Sequence, residues 1–211
     1  MEHGVLISVL FIIGIVVESM TGALAAGRCK MDLMGVIFIA LVTAIGGGSV
    51  RDILFNHHPL TWIKTPEYIL VIVIAALFAT RIPKIITRFE RVFLLLDAIG
   101  LVVFSIVGTA VVMAKYDSVI LAICGGVITG VFGGILRDTL CNQIPLIFQK
   151  EIYASVSLLA SALYYMLLTI CGIGAEIASV ITIICGSLLR IFAIYYKIGL
   201  PVFNFEESSK K

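Results

Sequence analysis

The sequence predicts an all-α integral membrane protein with seven transmembrane helices, arranged as two inverted three-helix repeats and a seventh helix. Three observations predict it. Of 211 residues, 61% are hydrophobic and 13% charged, with a mean hydropathy of +1.15, a balance foreign to soluble domains and to disordered chains. Several apolar runs reach the ~20 residues that a helix needs to cross a bilayer, and the alternating apolar strands of a barrel are missing. Finally, the chain repeats itself at a displacement of 86 residues, without a gap.

The spans fall at about 5–27, 33–54, 67–83, 92–114, 118–140, 152–173 and 176–196. The N-terminal run lacks the basic leader of a signal peptide and is longer than its apolar core, so it reads as a retained first span. The third span is the weakest: its purely apolar part, Tyr68 to Ala79, is brief, and Thr80 and Arg81 must extend it by snorkelling. The segment that follows carries Arg81, Lys84, Arg88 and Arg91 against Glu90, and the positive-inside rule makes it cytoplasmic. Counting spans from there puts the N-terminus outside and a short C-terminal tail in the cytoplasm. Residues 1–211 form a single transmembrane domain, with repeat one at about 5–83, repeat two at about 92–173 and the seventh helix at about 176–196.

The repeat superimposes Gly14 on Gly100, Ser19 on Ser105, Gly22 on Gly108 and Thr43 on Thr129. It continues through Gly47 and Gly48 on Gly133 and Gly134, Arg51 and Asp52 on Arg137 and Asp138, Asn56 on Asn142 and Pro59 on Pro145. Each copy holds three spans, an odd number, so the second copy enters the membrane from the opposite side, an architecture associated with sites near the midplane.

The glycines stand where a helix should be strongest. Each costs about 1 kcal/mol relative to alanine inside a helix, so Gly46, Gly47 and Gly48 in the second span, and Gly133 and Gly134 in the fifth, are expected to bend or open the backbone. Irregular backbone at that depth is tolerated where it is buried in protein or lines water. Thr43, Ser49, Thr129 and Asn142, with Asn56, are neutral polar groups able to replace part of an ion's hydration shell.

Two arrangements suit the Arg-Asp pairs. Neighbouring helical residues do not face one another, so inversion offers an exchange in which Arg51 pairs with Asp138 and Arg137 with Asp52. Alternatively, each arginine snorkels to its own interface and each aspartate caps a short helix. Glu18 aligns with Phe104 and Asp97 with Phe11, so these two acids are not duplicated. Each either faces a polar interior, giving it a direction, or sits solvated near a helix end.

His57 and His58 read as an exposed turn that could also sense pH, and Trp62, Tyr195 and Tyr196 as interfacial anchors. The five cysteines lack C-x-x-C spacing and behave as ordinary apolar residues. The sequence offers no nucleophile-base pair, phosphate loop or metal-ligand cluster. No enzyme, no cofactor and no nucleic-acid partner is expected.

The doubled Gly-Gly-x-x-Arg-Asp signature on the second and fifth of seven spans resembles the prokaryotic branch of the trimeric intracellular cation (TRIC) channel family, over almost the whole chain. The resemblance implies homotrimers in the cell inner membrane. It further implies one pore per protomer, lined by kinked second and fifth helices, and a permeant K+ or Na+, chiefly potassium, as the only bound metal. Gly46, Gly47, Gly48, Gly133 and Gly134 would form the kinks. Animal members carry a Lys-Glu-Val motif implicated in phosphoinositide binding, whose nearest match is Lys150-Glu151-Ile152, in a connection between spans. The bacterial branch is also labelled with a glycine-transporter domain name, and this supplies the rival expectation, a secondary transporter of a small amino acid.

Overall fold

A computed structural model describes residues 2–81, 89–149 and 152–199. Eight α-helices lie among them: α1 Glu2–Arg28, α2 Leu33–Leu54, α3 Thr61–Lys64, α4 Glu67–Thr80, α5 Phe89–Met113, α6 Val119–Leu140, α7 Tyr153–Thr169 and α8 Ala175–Tyr195. Five of these, α1, α2, α5, α6 and α8, are long and apolar enough to cross a membrane, while α4 and α7 are apolar but shorter, at 14 and 17 residues. The third expected span ends at Thr80, where Arg81 N bonds Phe78 O at 3.0 Å, and residues 82 and 83 fall outside the described residues. The sixth stops at Thr169, where the chain turns through Gly172 at φ 64°. The basic run Lys84 to Arg88, Lys150 with Glu151, and the tail also lie outside the described residues, so the orientation signal is a matter of sequence.

The same devices begin and end the second helix of each half. Asp32 accepts from Gly35 N at 2.8 Å to open α2, and Ser118, 86 residues on, accepts from Leu121 N to open α6. Asn56 and Asn142 close them in the left-handed region, at φ 50° and 53°. His57 N then bonds Asp52 O at 2.7 Å and Gln143 N bonds Asp138 O at 2.8 Å. This is the Schellman closure with asparagine in the usual glycine place. Both asparagines are exposed, which corrects the expectation that they serve a polar interior: a residue just past a helix end, needed there for its backbone, points its amide away from the core.

Helices α1, α2 and α4 pack on one another, as do α5, α6 and α7; the two groups meet where α2 crosses α6 and α1 crosses α5, and α8 covers α5 and α7. Helix α5 is the axis of the fold. Of its apolar window 72% is buried, against 39–44% for the other four long helices, and it carries Leu101, Val102, Ile106 and Val107 fully out of solvent.

Candidate functional site: two arginine–aspartate stations on a helix crossing

At the crossing of α2 and α6 the two backbones touch. A Cβ on Gly47 would run into the Thr129 carbonyl and lie 3.2 Å from Gly133 N, and one on Gly133 would run into the Thr43 carbonyl. No side chain fits at either position. Both helices remain continuous through their glycines, which corrects the expectation of opened backbone. The weak propensity of glycine, about 1 kcal/mol, does not break a helix where every freed backbone group costs several kcal/mol in hydrocarbon. What the missing Cβ supplies is contact between two helices. Gly46 faces Leu136, and Gly134 faces the Tyr153 hydroxyl, 3.1 Å from where its Cβ would be, whereas Gly48 is nearly free of neighbours.

Thr43 and Thr129 are buried beside this contact and donate to carbonyls of their own helices, Ile39 O at 2.6 Å and Gly125 O at 2.7 Å. Ser49 does likewise with Ile45 O and accepts from the Trp62 indole at 3.0 Å. Trp62 therefore ties α3 back onto α2 in addition to any role at the interface.

The Arg51 station closes one end of the crossing. Arg51 Nε and Nη2 donate to Asp52 Oδ1 at 2.9 and 2.6 Å, and Nη1 lies 3.5 Å from Thr129 Oγ1. Asp52 Oδ2 accepts from Thr61 N at 2.8 Å and Thr61 Oγ1 at 2.9 Å, so the carboxylate caps α3. His57 Nδ1 sits 3.0 Å from Asp52 Oδ1, with its side chain 40% exposed. Lys115 Nζ and Tyr116 OH bond the Phe55 carbonyl at 3.0 and 2.8 Å, pinning the end of α2.

The Arg137 station closes the other end with the same framework. Arg137 Nε donates to Asp138 Oδ1 at 2.8 Å, and Asp138 Oδ2 accepts from Leu146 N at 3.1 Å, capping the 3-10 turn Leu146–Phe148. Cys29 takes the place of Lys115, 86 residues away, its Sγ bonding the Cys141 carbonyl at 3.5 Å. The added element is acid. Arg137 Nη1 bonds Asp97 Oδ1 at 2.8 Å and Thr21 Oγ1 at 3.3 Å and lies 4.0 Å from Glu18 Oε2. Glu18 and Asp97 are 3% and 1% exposed, so both belong to the interior.

Crossed pairing is thereby overturned: each arginine bonds the aspartate beside it. The stations lie at opposite ends of an antiparallel crossing, too far along it for exchange. Adjacent Cβ atoms on a helix do diverge, yet in the last turn the carboxylate is drawn toward the segment it caps, and the long arginine stem wraps round to meet it. Nor do the arginines snorkel, since both are 0% exposed. The aspartates do cap, as the second arrangement expects.

Sequence reasoning missed Thr21, Thr61, Tyr153 and Arg190. Arg190 is fully buried, its guanidinium 4.9 Å from the Tyr153 ring, and an arginine within the seventh apolar run was itself the signal. Thr61 and Tyr153 become visible only once the chain has folded back. Phe93 stacks at 4.7 Å on Arg137 and, with Asp138, Arg28, Cys141 and Gln143, lines a cavity of about 330 Å³.

Among solved structures, the TRIC trimeric intracellular cation channel orthologue from Rhodobacter sphaeroides matches with a TM-score of 0.83 at 33% identity, over 92% of this chain and 99% of that one. A family model described as glycine transporter matches the chain twice, over residues 8–83 and 94–169. The chain belongs to this family, the prokaryotic TRIC proteins. The chain is also similar to the inner membrane protein YadS of Escherichia coli K12, 33% identical over 95% of this chain and 98% of that one. A membrane protein of Vibrio cholerae is 36% identical over 93% and 83%. With five helices of spanning length, the protein is a multi-pass membrane protein.

Proposed function

We propose that the protein is a monovalent cation channel of the inner membrane, permeable to potassium, with a pore in each protomer of a homotrimer. The observation that carries the reading is the match to the Rhodobacter sphaeroides channel along nearly the full length of both chains. The pore follows α2 and α6, bent without breaking at Gly46–Gly48 and Gly133–Gly134, with Thr43, Ser49 and Thr129 along it and a charged station at each end. In this reading α4 and α7 also span, giving two inverted three-helix repeats with α8 as the seventh span. The common packing of α1–α2–α4 and α5–α6–α7 supports that symmetry. The N-terminus is outside and the C-terminus cytoplasmic, so the Arg137 station faces the cytoplasm.

The description of the matching family model favours a second reading, a carrier of a small amino acid such as glycine. Planar bilayer recording of purified protein separates the two. Unitary potassium currents carrying many ions per event are expected; saturable, ion-coupled glycine uptake without such currents would replace the channel by the carrier.

A further inference from the structure

The pins that hold the two ends of the crossing occupy symmetry-related positions, and their chemistry differs. Beside the Arg51 station, Lys115 Nζ bonds the Phe55 carbonyl at 3.0 Å; beside the Arg137 station, Cys29 Sγ bonds the Cys141 carbonyl at 3.5 Å. Residue 29 corresponds to 115 and residue 141 to 55 in the 86-residue register, so both partners of the second pin are cysteines. Their thiols also lie within hydrogen-bonding reach of one another. At a separation of 112 residues, the pair is invisible to spacing along the chain.

The backbone fixes both residues. Cys29 N bonds Ala25 O at 3.3 Å just past α1, and Cys141 N bonds Arg137 O at 3.0 Å just past α6. Each is followed by a residue in the left-handed region, Lys30 at φ 54° and Asn142 at φ 53°. Sulfurs that the fold already holds together lose little further freedom on bonding. Reagents have a way in, because Cys29 and Cys141 both line the cavity of about 330 Å³, whose wall includes the exposed Arg28, Gln143 and Gln149. Cys29 is half-buried there and Cys141 is 5% exposed. Burial, and then the Cys29 thiol beside it, push Cys141 up to about 11. Cys141 therefore stays protonated, and Cys29 is the sulfur that meets a reagent first.

We propose that Cys29 and Cys141 form a reversible oxidation site, at which hydrogen peroxide joins the end of α1 to the end of α6 through a disulfide. The Cys29 sulfur attacks the O–O bond and becomes a sulfenic acid, releasing one water. The Cys141 sulfur then displaces the sulfenic oxygen as a second water. Two thiols are oxidised, one peroxide is reduced to two waters that carry away the thiol protons, and an external thiol restores the pair by exchange. Because α1 and α6 belong to different halves of the fold, the bond staples the halves together at the Arg137 end, whereas Lys115 makes no such link at the other. In the proposed orientation this end faces the cytoplasm, where thiols rest reduced, so the staple forms under oxidative stress. The chemistry itself depends on neither conduction nor orientation.

Peptide mapping of the full-length protein in detergent micelles tests it, after treatment with hydrogen peroxide and alkylation of the remaining thiols in denaturant. The wild type is expected to give a linked pair of peptides containing Cys29 and Cys141, two hydrogens lighter than the separate peptides and released by dithiothreitol. Cys124, Cys171 and Cys185, all exposed, are expected to be alkylated. Cys141→Ser should stop at a Cys29 sulfenic acid that dimedone captures, and Cys29→Ser should leave Cys141 a thiol at the same dose. The proposal is overturned if wild-type Cys29 stays a thiol, passes on to a sulfinic acid or links to another cysteine. Undiminished oxidation of Cys141 in Cys29→Ser overturns it as well, since the two sulfurs would then react independently. The wild-type map decides the matter even where a variant fails to fold.

Discussion

At one end of the α2–α6 crossing a guanidinium meets a single carboxylate beside a half-exposed histidine, and at the other an equivalent guanidinium meets three carboxylates under an aromatic ring. What the ends share is duplicated in the sequence: the bonded Arg-Asp neighbours, the left-handed asparagine, and the aspartate that caps the next turn. These parts end a helix and start the following segment inside hydrocarbon, where every backbone group needs a partner, so the duplicated residues build the fold. The differences lie at unduplicated positions, Glu18 against Phe104, Asp97 against Phe11, Lys115 against Cys29 and His57 against Gln143. A two-fold scaffold has no preferred direction, and these substitutions give it one.

The largest expected effect comes from removing each arginine in turn. Arg51→Ala strands one buried carboxylate and is expected to destabilise the protein by about 3–5 kcal/mol. Arg137→Ala strands three and is expected to leave no folded protein after extraction. Equal losses, read by unfolding in mixed micelles, would erase the distinction between the ends.

Next come the glycines, where the ends should behave alike. Gly47→Ala and Gly133→Ala each force a methyl group against a facing carbonyl and should destabilise by about 1–3 kcal/mol, in the range of overpacking. Gly48→Ala, whose Cβ would have only Arg51 Nη2 at 3.8 Å, should be neutral or stabilise by up to about 1 kcal/mol through helix propensity. If the same unfolding assay finds Gly48→Ala as damaging as Gly47→Ala, the glycines act through backbone flexibility and not through close approach.

A smaller effect tests the caps. Thr61→Val removes the hydroxyl that bonds Asp52 and Arg51 but keeps the backbone N–H, leaving Asp52 capped as Asp138 is at Leu146. A loss of about 1 kcal/mol is expected, the usual net worth of one hydrogen bond; circular-dichroism thermal melts in detergent read it as a modest fall in Tm, and an unchanged Tm would show the hydroxyl to be idle.

Much of this was legible in the chain. Membrane class, the 86-residue register and the bounds of α2, predicted at 33–54 and found at Leu33–Leu54, follow from hydropathy and identity alone, because a helix in lipid is fixed by its own composition. The partner of Arg51 was not legible. It depends on a carboxylate held by Thr61, nine residues on and past a turn, which no helical spacing encodes. The role of the glycines was half legible: their positions marked the crossing, but propensity could not say whether the missing Cβ opens a helix or lets two helices touch, since that depends on what lies opposite.

The claim that each station is closed within its own helix end is tested most directly by double-mutant cycles on the purified protein, combining Arg51→Ala first with Asp52→Asn and then with Asp138→Asn. The adjacent pair should couple by on the order of 1 kcal/mol or more, and the crossed pair should be additive within about 0.5 kcal/mol. Coupling between Arg51 and Asp138 with additivity between Arg51 and Asp52 would contradict the account.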